Sequence, residues 1–291
     1  MESLVSLFST CSNVGRWGNN DQRGTLNLID STVVRRAIAT VTEGDVVALG
    51  LMPKPTSNKS ASSPVRLEVF SGNADGSDAL DTLALSPHGF DITHLDALGH
   101  NFFEGKGYNG RNSKDIVRAK GLQFGGVQTA AKGIVTRGLL LDVAKARGVD
   151  RLEMTDGVSA DDLAAAVGDC GEEVLDGDAV FVRTGIGPCG PREDGHRAGL
   201  LGSAVQWLYD HNVSLYSGDC IEKLPPEDPM VPMVLHQVGH VAMGLSILDN
   251  PDIERLRNAC EKHRRPKFLL VVAALAIRGA TGCAVNPLAV F

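Results

Sequence analysis

Three strongly apolar stretches limit what this chain can fold into more than any other feature: Gly133–Val143 (GIVTRGLLLDV), Ala179–Thr184 (AVFVRT) and Phe268–Ile277 (FLLVVAALAI). They are too short to span a bilayer, and their β-branched and aromatic content marks them as buried strands. Elsewhere the pattern turns helical. Asp30-Ser31 caps a run with Val33, Val34, Ala37, Ile38 and Val41 at helical spacing, so a helix is expected through Val41. Ser159 followed by Asp162 is a carboxylate variant of the capping box and opens a helix running to Val167. Residues 199–211 bury Leu201, Val205 and Leu208 on one helical face and lead into a strand over Val213–Tyr216. Asn250-Pro251 starts a last helix with Ile253, Leu256 and Cys260 inward. With a further buried strand over Val46–Leu51 and a short helix over Ser113–Lys120, the alternation specifies an α/β protein. Residues 53–64 (PKPTSNKSASSP) have almost nothing to bury and read as an exposed loop.

With 291 residues, 43% of them apolar, the chain can bury a full core. Its 28 basic and 35 acidic residues give a net charge of −7 without a long run of one sign. That argues against a nucleic-acid groove or a polybasic membrane patch and leaves small molecules and copies of itself as expected partners. Six scattered cysteines without a C-x-x-C pair, behind a start (MESLVSLFSTC) that lacks a basic and apolar leader, lead us to expect reduced thiols and a cytoplasmic protein.

The chemistry is concentrated in Ser86–Gly110 (SPHGFDITHLDALGHNFFEGKGYNG), which holds His88, His94 and His100 with Asp91 and Asp96 among them and Phe102, Phe103 and Tyr108 just after. Imidazoles and carboxylates bind borderline divalent metals. On an extended segment His94, Asp96 and His100 share one face, and apolar Leu95, Ala97 and Leu98 would carry them into a buried place. A second group, His236, His240 and Asp249, lies far downstream. His236 and His240 could share a helix face as in zinc peptidases, but Gln237 stands where that pattern needs Glu. Asp249 precedes the expected helix at Asn250-Pro251, where a carboxylate is favoured as a cap as well as a ligand. The run TGIGPCG satisfies G-x-G-x-x-G through Gly185, Gly187 and Gly190, yet Pro188 and Pro191 break the helix that a dinucleotide site needs.

THLDALGH resembles the core of the motif His-x-Gly-Thr-His-x-Asp-x-Pro-x-His of the metal-dependent cyclase-family hydrolases, whose members include bacterial kynurenine formamidase, isatin hydrolase and a dienelactone hydrolase. Thr93, His94, Asp96 and His100 fall on matching positions, while Phe90, Ile92 and Leu98 replace the first His, the Gly and the Pro. The lost His is a metal ligand in the family, and His88 could stand in for it. Trp17 lies in a segment similar to the family's WGxxDxxGTLN signature, and GATGCAVNPLAVF is similar to its GATGSPVNPLAVF ending. The segment with His236 and Asp249 aligns with H-x-x-G-x-x-x-M-G-L-x-x-x-D-N, placing both on ligand positions, whereas His240 has no family counterpart and is either a substrate contact or a packed histidine.

The resemblance implies one α/β domain over residues 1–291 of the swivelling β/β/α type, with a mixed central sheet or barrel, flanking helices, and assembly as a homodimer or homotetramer with the apolar carboxyl terminus packed at the interface. It implies that His94, Asp96 and His236, with His88 or Asp249, hold zinc or manganese. His100 would act as general base and then acid, titrating near neutral pH, while Trp17, Phe90, Phe103 and Tyr108 border a ring-containing substrate. The activity implied is hydrolysis of a cyclic amide, lactone or N-acyl bond. Because Phe90 removes a ligand, the alternative is a metal-independent cyclase, dehydratase or rearrangement catalyst of secondary metabolism with His100 and Asp96 as acid and base; the catalytic candidates taken together are His100, Asp96 and His240. A non-catalytic binding protein is the third class, and it leaves the retained THLDALGH unexplained.

Overall fold

A computed structural model describes residues 3–54, 64–74 and 76–291; most of the expected exposed loop, residues 55–63, lies outside the described residues. In chain order its strands are β1 (Val46–Ala48), β2 (Val65–Phe70), β3 (Leu80–Leu85), β4 (His94–Asp96), β5 (Ile134–Asp142), β6 (Gly157–Val158), β7 (Ala179–Arg183), β8 (Gly199–Leu200), β9 (Leu215–Gly218), β10 (Ser246–Asp249), β11 (Lys267–Val272), β12 (Gly282–Ala284) and β13 (Leu288–Val290). Nine of them make one mixed sheet, β1-β13-β11-β5-β7-β9-β10-β4-β12, curled into a half-barrel with flanking helices. The central β5, β7, β9 and β10 run parallel. Antiparallel pairs extend the sheet on both sides.

The strongly apolar character of β5 and β7 follows from burial on both faces. Successive side chains of a strand point to opposite sides, so Leu139 and Leu141 of β5 join Val180 and Val182 of β7 in one core, and Leu140 joins Ala179 and Phe181 in the other. The first core is closed by helices Ala160–Cys170 and Gly202–Asp210 through Leu163, Val205 and Leu208. The second is closed by helix Ile253–His263 through Ile253, Leu256 and Cys260. Each fully buried large side chain contributes about 1.5–3 kcal/mol.

Local signals set the helix starts. The Asp30 carboxylate accepts the Thr32 and Val33 N–H groups at 2.8 Å, opening helix Ser31–Ile38, which ends one turn before Val41. The Ser159–Asp162 capping box forms, and its helix continues through Gly168 to stop at left-handed Gly171 (φ 69°). Other boundaries differ from expectation because they depend on neighbours. The strand expected to reach Ile277 stops at Val272, opposite Ile134 where β5 begins; beyond it no partner strand continues, and Leu275 and Ile277 are half exposed. The expected buried strand Val46–Leu51 is a three-residue strand paired with β13 at the edge of the sheet formed by the described residues, and Val46 is exposed. The short helix ends at Ile116, and the strand expected at Val213 is β9, displaced to Leu215–Gly218. Residues 199–200 pair as β8, so the following helix starts at Gly202. Asn250 adopts φ 56°, so Pro251 does not open the last helix; Asp252 caps it, accepting the Arg255 N–H at 3.0 Å. The carboxyl-terminal Phe291 is buried within its own chain, beside Phe268 and His263. Among the described residues no helix is long and apolar enough to cross a membrane.

Candidate metal centre

The site forms where β10 ends, outside the carboxyl end of the parallel strands, the usual location of ligands in open α/β sheets. His94 and Asp249 face each other across the β4–β10 ladder. Asp96, two residues along β4, projects from the same face as His94. His236 arrives from Val234–His236, a helical turn that widens into a π-helix over Gln237–Met243. Its Nε2 lies 3.6 Å from Asp96 Oδ2 and 3.5 Å from Asp249 Oδ2. His94 Nε2 lies 3.5 Å from Asp96 Oδ1 and 3.9 Å from Asp249 Oδ2. Asp249 is therefore a strand terminus aimed at two imidazoles, and the cap reading belongs to Asp252. His88 reaches the same place, with Nδ1 3.0 Å from Asp96 Oδ1 and Nε2 3.0 Å from the Thr281 hydroxyl. Gly282, opposite Asp96, makes room for that ring: a Cβ there would stand 2.7 Å from His88 Cε1.

Hydrogen bonds behind the cluster fix which nitrogens face it. His94 Nδ1–H donates to the Ile92 carbonyl at 2.8 Å, leaving Nε2 as the inward lone pair. The Asn250 amide holds the approach to β4, donating to the Gly89 and Ile92 carbonyls at 2.6 and 3.0 Å. Thr93 accepts the Leu51 N–H at 2.8 Å and donates to the Asn250 carbonyl at 2.6 Å. His236 Nδ1 is 2.7 Å from the Glu222 carboxylate, which Arg197 Nη2 approaches to 3.2 Å. Glu222 and Arg197 are buried and escape sequence reading, since no spacing ties either to His236.

A cation fits this arrangement. Both Asp96 oxygens and His88 Nδ1 are buried without an aligned hydrogen bond, although imidazole nitrogens surround them. A buried carboxylate left so costs several kcal/mol unless something else neutralises it. Two groups, His88-His94-Asp96 and Asp96-His236-Asp249, each bring their ligand atoms within 4.8 Å of one another and share Asp96. Nitrogen and carboxylate donors together suit a borderline divalent ion. Burial opposes ionisation of Asp96, but His236 and His88 outweigh it and hold the carboxyl well below its ordinary range. For His236 burial favours the neutral ring, yet Glu222, Asp249 and Asp96 raise its pKa well above the ordinary value.

His100 stacks on His88, rings parallel and 3.7 Å apart. Burial pushes its pKa down to about 4 against the pull of Asp96, so it is a neutral base across the physiological range rather than a group titrating near pH 7. His240 is fully buried beside His236 and His100, and burial pushes it down to about 3. Phe90 borders a cavity of about 10 Å³ with Ile186, Cys189, Arg197 and Asp219, space for about one water. Phe103 stacks on Phe8 at 3.9 Å, and Trp17 is half-buried beneath the Arg16 guanidinium. Tyr108, 1% exposed with its hydroxyl donating to Asp21 at 3.1 Å, presents no surface to a ligand and acts as scaffold instead. The glycine run meets a carboxyl group of its own chain: Asp219 accepts from Thr184 N–H and Oγ1–H and from Gly185 and Gly187 N–H at 2.7–3.3 Å.

A solved structure described as a novel cyclase superposes with a TM-score of 0.82 over 96% of this chain and 99% of its own, at 23% identity. Isatin hydrolase A from Labrenzia aggregata, bound to benzyl benzoate, gives 0.61 over 84% of this chain and 93% of its own at 20% identity. An isatin hydrolase bound to the product analogue thioisatinate gives 0.60 over 89% and 96% at 17% identity. At these identities the likeness establishes a shared fold. No curated protein matches the sequence. The family model described as "Putative cyclase" matches residues 52–223, more than half of the sequence, and on that match the chain belongs to the cyclase family.

Proposed function

We propose that the protein is a metal-dependent hydrolase that opens a cyclic amide, lactone or N-acyl bond of a small ring-containing substrate. The observation that carries this reading is the convergence of His94, Asp96, His236 and Asp249 on one buried spot, with both Asp96 oxygens lacking a hydrogen-bond partner. Fold similarity to isatin hydrolases, which act on a cyclic amide, supports the reaction class. A zinc or manganese ion held by these residues and His88 would polarise the scissile carbonyl and acidify water.

The chain's own residues handle the proton. His100, neutral and stacked against His88, takes a proton from the attacking water as the new C–O bond forms and the carbonyl pair moves onto oxygen. When the scissile C–N or C–O bond breaks, the same imidazole returns that proton to the departing atom. The carbonyl re-forms as that bond breaks, giving a carboxylic acid that ionises in water and an amine or alcohol, both on one molecule when a ring is opened.

The alternative of metal-independent ring closure or dehydration has one observation in its favour. His236 is raised by Glu222, Asp249 and Asp96, and a protonated imidazole there already offsets part of the acidic charge. Metal analysis by plasma mass spectrometry, with isatin hydrolysis before and after chelation, decides between the two. The hydrolase reading expects about one or two divalent ions per chain. It also expects turnover lost on chelation and regained on adding manganese or zinc. Full turnover by metal-free protein would refute it.

A further inference from the structure

We propose that His240 is a catalytic hydrogen-bond donor to the substrate oxygen that gains charge during hydrolysis, and that Asn101 is the positioning residue that fixes its tautomer. This inference rests on the hydrolase reading above.

The His240 side chain is fully buried, and its two nitrogens have different surroundings. Nδ1 faces the Asn101 amide nitrogen at 3.4 Å. An amide nitrogen can only donate, so Nδ1 must accept, and a neutral imidazole that accepts at Nδ1 carries its proton on Nε2. That Nε2 is buried and has no hydrogen-bond partner among the described residues. Native interiors rarely leave a donor orphaned, and a catalytic role is one of the few reasons that one persists.

The position of the ring says which ligand. Its centroid lies 5.8 Å from that of the ligand-bearing His236 and 6.4 Å from that of the base His100. Local backbone geometry contributes, because His236 and His240 lie at the entry to and within the π-helical turn Gln237–Met243, a rare helix form frequent at functional sites. The wide turn sets the two rings at 90° to each other. The proposal places the oxygen of a carbonyl attacked between His236 and His100 beside this N–H, the arrangement of an oxyanion hole. No proton leaves Nε2 in this step: the donor stabilises the oxygen while His100 carries the proton from water to leaving group.

The test joins a spectroscopic readout to kinetics in the metal-loaded enzyme. Long-range ¹H–¹⁵N correlation on ¹⁵N-histidine-labelled protein at pH 8.5 should show His240 as the Nε2–H tautomer, assigned by its loss in His240→Gln. With isatin as probe, His240→Ala should lower kcat by about 10²–10³-fold with KM nearly unchanged, and His240→Gln, whose amide can still donate, should recover about tenfold. Metal content should be unchanged in both. Asn101→Asp offers only acceptors, so it should move the proton to Nδ1 and lower kcat as His240→Ala does. An Nδ1–H tautomer in the wild type, or His240→Ala and His240→Gln both turning over isatin at the wild-type rate, would overturn the proposal while leaving the hydrolase reading standing. A wild type inert toward isatin, aryl lactones and N-formyl anilines would remove the hydrolase reading, and the donor with it.

Discussion

Metal binding at this site should be coupled to one proton, and Glu222 should set the pH at which the coupling appears. In the metal-free fold His236 is raised above its ordinary value near 6.5, with Glu222 the largest charge contribution, at 2.7 Å, and Asp249 and Asp96 behind it at 3.5 and 3.6 Å. The ion needs the deprotonated ring, so the proton competes with it. Below the raised pKa, apparent affinity should tighten about tenfold per pH unit, or about 1.4 kcal/mol, and above it the dependence should flatten. Glu222→Gln keeps the shape of the side chain and removes its charge, so its profile should flatten at a lower pH than that of the wild type. Isothermal titration with manganese or zinc, repeated in buffers of different ionisation enthalpy, reads both the affinity and the proton released. The same shift gives the sign for the fold itself. The stabilisation from protonated His236 is complete below its unfolded pKa near 6.5 and fades as pH rises through the folded value, so the metal-free protein should lose part of its unfolding free energy on the alkaline side. Superimposable affinity profiles for the wild type and Glu222→Gln, or no proton released by the wild type, would refute this reasoning.

Other consequences of the structure can be measured separately. Asp96→Asn removes the one carboxylate shared by both ligand groups and should weaken metal binding by about 100-fold or more in the same titration, with the circular dichroism of the fold retained. Asp178 is fully buried, pairs with Arg137 and accepts the Leu175 N–H at 2.8 Å, so Asp178→Ala should cost about 3–5 kcal/mol in urea unfolding. Burial raises the Cys11 and Cys260 thiols to about 11 and about 12, so neither should react with a disulfide reagent in native protein at pH 8, and the half-buried Cys170 and Cys189 should react first.

The parts of this protein legible from sequence are those whose cause is local. The step of two between His94 and Asp96 fixes a shared face on any strand, and the Ser159–Asp162 capping box specifies its own helix start. Where the cause lies in a partner, the sequence misleads or is silent. The run Phe268–Ile277 is uniformly apolar, but β11 ends where β5 gives it nothing further to pair with. Asp249 sits before an Asn-Pro pair that suggests a helix cap; the left-handed turn at Asn250 instead keeps Asp249 on β10, across from His94, and hands capping to Asp252. Glu222 and Arg197 show the same limit at the site. Neither belongs to a motif, and each matters only because folding places it behind His236, where a carboxylate decides which nitrogen faces the candidate metal site. Metal-ligand types announce themselves in a sequence because few residues can serve. The groups that aim those ligands can be almost any polar residue, so only the tertiary arrangement singles them out.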